Sequence, residues 1–167
     1  MCRARFHWSH ALAGIVAVIP FHSSAEKLTE EKVRFEGITF RVVRVAPERL
    51  QVVWKGDDGK PLQTFDKVQA HYAAKGKQVK FLANAGIYEP GWIPSGLHIE
   101  AGKERSPLNL KDAPGNFYLK PNGVFAVVHR GGKQVPVMLE SKAFARARKG
   151  LECRLAVQSG PLMLDSG

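Results

Sequence analysis

Cysteine is almost missing from this chain of 167 residues, which carries only Cys2 and Cys153. A leader cleaved after residue 25 would remove Cys2 and leave Cys153 alone, so no intrachain disulfide is expected and the fold must stand on packing. Zinc spacing is missing too. The histidines at positions 7, 10, 22, 71, 98 and 129 form no short ligand pair outside the leader. No internal repeat, low-complexity segment or second long apolar run occurs, which excludes solenoids, disordered tracts and a further membrane span. Acid is scarcer than base, with 15 Asp and Glu against 25 Lys and Arg.

What is present begins with the leader. Arg3 and Arg5 form a positive start, Ala11 to Phe21 is an apolar run too short to cross a bilayer, and Ser23-Ser24-Ala25 offers small residues for cleavage. That pattern predicts a signal peptide over residues 1–25, with an uncleaved N-terminal anchor as the alternative. The mature domain would be 26–167, exported to the periplasm or the exterior and without a stable membrane span. Its balance becomes 23 bases against 15 acids, or +8, because only Arg3 and Arg5 are lost. A basic exported protein meets anionic envelope glycans, phosphate-bearing polymers or lipid surfaces. Nucleic acid is not an expected partner, since export removes it and no recognition motif occurs.

A hydrophobic fraction of 44% supports one packed domain, and Gly 16 with Pro 10 predicts many turns. Alternation over Val33–Val45 and Arg49–Lys55 predicts two strands, the second ending in a turn at Gly56–Pro61. Phe65, Val68 and Tyr72 recur at helical spacing, with Thr64 as N-cap and Gly76 as stop. Val79–Ala83 reads as a short buried strand running into Asn84-Ala85-Gly86. An irregular segment at 87–96 leads to the alternating Leu97–Glu100 and an Ala-Gly-Lys turn. Apolar runs on both sides of Lys120-Pro121-Asn122-Gly123 predict a hairpin whose type I turn ends on Gly123 at positive φ. Glu140–Lys149 is expected to be a helix with Lys142, Arg146, Arg148 and Lys149 outward, and Arg154–Gln158 a final strand. The sum is an α+β fold: a β-rich single domain with mixed sheets and a few helices. The apolar Leu162-Met163-Leu164 followed by Asp165-Ser166-Gly167 predicts a strand partner that never arrives, so the domain reads as incomplete at its C-terminus.

Four stretches in order carry a resemblance: Asn84–Tyr88 (NAGIY), Gly96–Lys103 (GLHIEAGK), Gly115–Phe125 (GNFYLKPNGVF) and Gln158–Met163 (QSGPLM). Together they resemble the phosphodiester glycosidase family, whose lysosomal member uncovers mannose phosphate by removing N-acetylglucosamine, and whose bacterial branch is associated with exopolysaccharide. The resemblance covers roughly residues 33 to 167. It implies an exported hydrolase that cleaves a sugar-1-phosphodiester. Members of the family continue into an arginine segment and a Leu-Asp-Gly stretch, and this chain has neither. The other reading is a non-catalytic module binding envelope or exopolysaccharide anions, or an inactive fragment.

The implied reaction separates an anomeric carbon from a phosphodiester oxygen. Glycosidases ordinarily set two carboxylates about such a bond. A phosphate monoester, with a second pKa of about 6, is already a good leaving group, so donors aimed at phosphate oxygens should matter more than a strong acid. By position and resemblance the substrate-binding candidates are Asn84, Gly86, Asn116, Lys120, Asn122, Gln158, Ser159 and Gly160. Lys120 supplies the cation, the amides supply hydrogen bonds, and the glycines permit close backbone approach. Each also has an ordinary role: a solvated lysine, a turn asparagine, a turn glycine. Among the carboxylates Glu89, Glu100, Asp112 and Asp165 no spacing singles out a pair, and Asp165 is the catalytic candidate only through the resemblance. Tyr88 and Trp92 either stack on a sugar or pack their loop. No ligand set marks a metal, and the cofactor is left open.

Overall fold

The computed structural model describes residues 28–163. The leader and Asp165 both lie outside that range. Strand β1, Thr29–Phe35, and strand β2, Ile38–Arg44, form an antiparallel hairpin where one strand was expected. The reason is the two-residue turn Glu36-Gly37, with φ of 47° and 78°. Positive φ at both positions matches the twist of two flanking strands. The apolar positions step from odd to even at this turn, and the chain reversal sets Val33 opposite Phe40 and Phe35 opposite Ile38 on one side of the ribbon.

Pro47–Arg49 is a single 3-10 turn, and the strand expected over Arg49–Lys55 is absent. Backbone groups there are held by side chains instead of a ladder. Arg154 Nη2 donates to the carbonyls of Pro47 (2.7 Å) and Leu50 (2.9 Å). The turn after it forms as expected: Lys55 bridges Pro61, and Gly56 N donates to Lys60 O at 2.9 Å. Helix α1, Phe65–Ala73, also obeys its local signals. Thr64 accepts from Lys67 N through its hydroxyl (3.3 Å), and Gly76 adopts φ 68° just beyond the end. The buried strand expected over Val79–Ala83 does not form. That segment is extended, makes no ladder among the described residues, and leaves Phe81 52% exposed.

Two short strands, β3 (Tyr88–Glu89) and β4 (Ile93–Pro94), pair across the Pro/Gly loop. Strands β5 (His98–Glu100) and β6 (Lys103–Ser106) come next, joined by Ala101-Gly102 with both φ positive. Strand β7 (Gly123–Arg130), strand β8 (Lys133–Glu140), helix α2 (Ser141–Ala147) and strand β9 (Glu152–Ser159) complete the described chain. The main sheet has the order β6-β5-β9-β7-β8. The fold is α+β and rich in strands, as expected, but its described pairings are antiparallel throughout and not mixed. Among the described residues no helix is long and apolar enough to cross a membrane.

Lys120–Gly123 is not a hairpin tip. Residues Asn116–Tyr118 form a 3-10 turn whose Phe117 is buried, and Gly123 opens β7 without a positive φ. The tip lies later, at Gly131-Gly132, both at positive φ. The buried Phe117 ring packs against Gly96, and its segment coils into the 3-10 turn instead of pairing as a strand.

The core lies between the sheet and α2. Val124, Ala126 and Val128 of β7, Ala156 of β9 and Ile99 of β5 meet Phe144 of α2, which is fully buried. α2 starts on Glu140, whose carboxylate accepts from Ala143 N at 3.0 Å, and it turns Lys142 and Arg146 outward. Arg148, expected outward, instead meets Glu104 of β6. The opposite face of the sheet presents Val127, Leu155, Val157 and His98. Its β8 end is uncovered, with Met138 61% exposed.

Candidate functional site

Alternation on β5 sends His98 and Glu100 to the same face of the sheet, away from α2. Each side chain there has a defined neighbour. Glu100 Oε1 accepts from His98 Nε2 at 3.0 Å and from the backbone N–H of Trp54 at 2.5 Å. Its second oxygen lies 3.4 Å from Arg105 Nε. The Trp54 ring meets the His98 ring edge-on at 6.4 Å, and its Nε1 donates to Trp92 O at 2.6 Å. Lys55 Nζ sits 4.1 Å from the centre of the Trp54 ring, so this indole is pinned on both sides.

Burial alone would raise the Glu100 carboxyl, but the His98 hydrogen bond and charge, the Trp54 N–H and Arg105 outweigh it, leaving it below its ordinary value. Tyr72 of α1 shifts upward, through burial first and the charge of Glu100 second. These two shifts mark a patch where charge and burial meet, a recurrent property of functional clefts.

Over this patch lies a cleft of about 200 Å³. The segment Gln51–Trp54 and the start of α1 form one wall, Asn84–Tyr88 and Trp92 another, and His98 and Val157 the floor. A second, shallower hollow continues from it, lined by Asn84–Tyr88 and Ser159. Tyr88 and Trp92 both line the cleft, their rings packed together 5.1 Å apart at 33°, and they are 52% and 40% exposed.

The candidates from the sequence divide sharply. Asn84, Gly86, Gln158 and Ser159 come together at this cleft and its extension. Asn84 is exposed there, on a loop and not at the end of a buried strand. Gln158 reaches the cleft only with its main chain in play, for its buried amide is fully engaged. Oε1 accepts from Leu97 N and Asn109 N, both at 3.0 Å, while Nε2 donates to Asn109 O (2.7 Å) and Ser141 Oγ (3.0 Å). It is a clamp joining three segments to β9.

Asn122 is likewise buried and structural. Its Nδ2 donates to Phe117 O at 3.2 Å, and its carbonyl accepts from Ser141 N. Gly86 and Gly160 serve chain-to-chain approach. A Cβ at Gly86 would stand 3.2 Å from Gln158 O, and one at Gly160 would stand 2.5 Å from Phe117 O. Asn116 is exposed in its 3-10 turn and does not line the cleft. Lys120 is turned back on its own loop, donating to Lys111 O at 3.1 Å with Asp112 at 3.5 Å. Asp165 falls outside the described residues.

Even so, the four sequence stretches meet at one place, the end of β9. Gly86 abuts Gln158, Gly96 leaves no room for a Cβ beneath the Gln158 amide and Phe117 (2.6 Å to Cζ), Gly160 abuts the 117–119 turn, and Leu162 N donates to Pro121 O at 2.7 Å. Sequence reasoning did not single out His98 and Trp54, which line the cleft, or the Glu100 carboxylate that bonds both. The available signal was His98 and Glu100 at i and i+2 on one alternating strand.

The chain is 36% identical over 132 residues to the uncharacterized protein YigE of Escherichia coli (strain K12), an alignment covering 78% of this chain and 49% of that protein. The chain therefore spans about half the length of this curated relative. No family model matches it. No solved structure matches it either.

Proposed function

We propose that this chain carries part or all of the substrate site of an exported hydrolase acting on a sugar-1-phosphodiester, of the N-acetylglucosamine or exopolysaccharide-related type. The observation that carries the reading is the meeting of the NAG loop, the Ser159-Gly160 turn and the Phe117–Asn122 turn at one strand end, beside a cleft lined by Tyr88, Trp92 and a His98 that Glu100 holds. Each part has a use in that chemistry. The tilted rings of Tyr88 and Trp92 suit the apolar face of a pyranose. Asn84 offers both a donor and an acceptor for sugar hydroxyls. Ser159, which lines the adjoining hollow, and its main chain offer hydrogen-bond donors to phosphate oxygens. Little acid strength is required, because the departing phosphate monoester is a weak base with a second pKa of about 6.

The test is direct. Purified protein is incubated with UDP-N-acetylglucosamine and with the methyl diester of N-acetylglucosamine 1-phosphate, and free sugar is measured. Release that falls at least about tenfold in Asn84→Ala or Trp92→Ala, with folding intact, supports the reading. Absence of both release and binding sinks it. Export belongs to the same proposal, and N-terminal sequencing of the mature protein should begin near residue 26.

A second reading has its own observation. Lys142, Arg146 and Lys149 are exposed along α2 and the turn after it, on the other side of the sheet. A module that binds anionic envelope polysaccharide through this face would bind in a salt-dependent way that Asn84→Ala leaves untouched.

A further inference from the structure

An anionic ligand entering the cleft needs a cation, and the sequence offered Lys120. The structure turns Lys120 onto Lys111 O and Asp112, outside the cleft lining. Among the described residues that line the cleft, His98 is the only side chain able to carry positive charge. We propose that His98, held by Glu100, is the cationic binding group for the phosphodiester in this cleft, and that binding is therefore gated by pH. The inference rests on the proposed hydrolase function and assigns the residue that meets the phosphate.

Three observations converge on it. The ring is 7% exposed, so its position is set by packing. Glu100 takes Nε2, which leaves Nδ1 as the nitrogen available to a ligand once the ring is protonated. Glu100 is itself fixed by Trp54 N and Arg105, and its carboxyl lies below the ordinary value, so it remains an anion able to orient the ring. The charged and titratable groups around the pair are few. They are Glu100 and Arg105 on the sheet, Tyr72 from α1, Lys55 stacked on Trp54, and Tyr88 on the far wall. If His98 served only to pack against the edge of Trp54, its loss would lower stability and leave ligand affinity without a pH dependence of its own.

The probe is the methyl diester of N-acetylglucosamine 1-phosphate, whose single negative charge does not change near neutrality, so any pH dependence belongs to the protein. Affinity is read from quenching of Trp54 and Trp92 fluorescence between about pH 5 and pH 8, the range in which histidine changes charge. Native protein should bind at least about tenfold more tightly at the acid end. His98→Gln should bind weakly at every pH, with no slope. The His98 ring resonances, tracked by NMR in the native protein, should titrate at higher pH when the diester is present, a readout that does not depend on the variant folding. Binding that is independent of pH, a slope retained in His98→Gln, or an unmoved His98 titration overturns the assignment and leaves the cleft as the sugar site. No binding by the native protein at any pH overturns the assignment together with the functional reading.

Discussion

Gln158 separates position from role. As the last residue before Ser159-Gly160 it read as a substrate amide, yet its four hydrogen bonds reach partners 17 to 61 residues away in the chain. No local pattern reveals that, because sequence spacing says where an amide sits and not what fills its bonding capacity. Gln158→Ala leaves buried N–H and C=O groups unsatisfied and should lower unfolding free energy in urea by about 2–4 kcal/mol. Lys120→Ala, at an exposed side chain, should change it by less than about 0.5 kcal/mol. Gly96→Ala drives a methyl into Gln158 and Phe117 and should cost at least about 2 kcal/mol. Glu100 supplies the pH prediction. Its carboxyl is lowered in the folded state from an ordinary 4.5. The stability it contributes is therefore complete above that value and lost as pH falls through the lower, folded one. An acid titration of unfolding free energy should be shallower below about pH 5 in Glu100→Gln than in the native protein.

Elements were legible where their causes are local. The cap, apolar spacing and terminal glycine of α1 all lie close together in the chain, and the helix forms between them. Thr64→Ala should therefore cost about 1 kcal/mol in the same urea measurement. Strands were less legible, since a strand exists only through its partner. Val79–Ala83 has the composition of a strand and no ladder among the described residues, and Arg49–Lys55 is held at Leu50 O by Arg154 and at Trp54 N by Glu100 instead of by a neighbouring strand. The β1-β2 ribbon reads as one strand only if the two-residue turn Glu36-Gly37 is passed over, although the apolar positions step there from odd (33, 35) to even (38, 40). Its apolar side, Val33, Phe35, Ile38 and Phe40, is 42–63% exposed. Exposed apolar ribbons of this kind promote association. Replacing Phe35 and Ile38 by threonine should reduce self-association in light scattering while shifting unfolding free energy by less than about 1 kcal/mol, because little burial is lost.

At the level of the molecule, the strand content was readable, while the order of the sheet was not. Antiparallel pairing between β5 and β9 joins segments far apart in the chain, and nothing in the composition of either strand selects that partner. The sheet order has a consequence of its own. β9, the last strand described, is the middle of five, so before it is translated this sheet consists of two loose halves, β6-β5 and β7-β8, without a common spine. A ribosome that has released residues up to Gly150 holds the two outer hairpins of this sheet and no keystone. The described sheet must wait for β9 before its halves join, and until then the nascent polypeptide leaves the ladder edges of β5 and β7 open to chaperones and to its own neighbours.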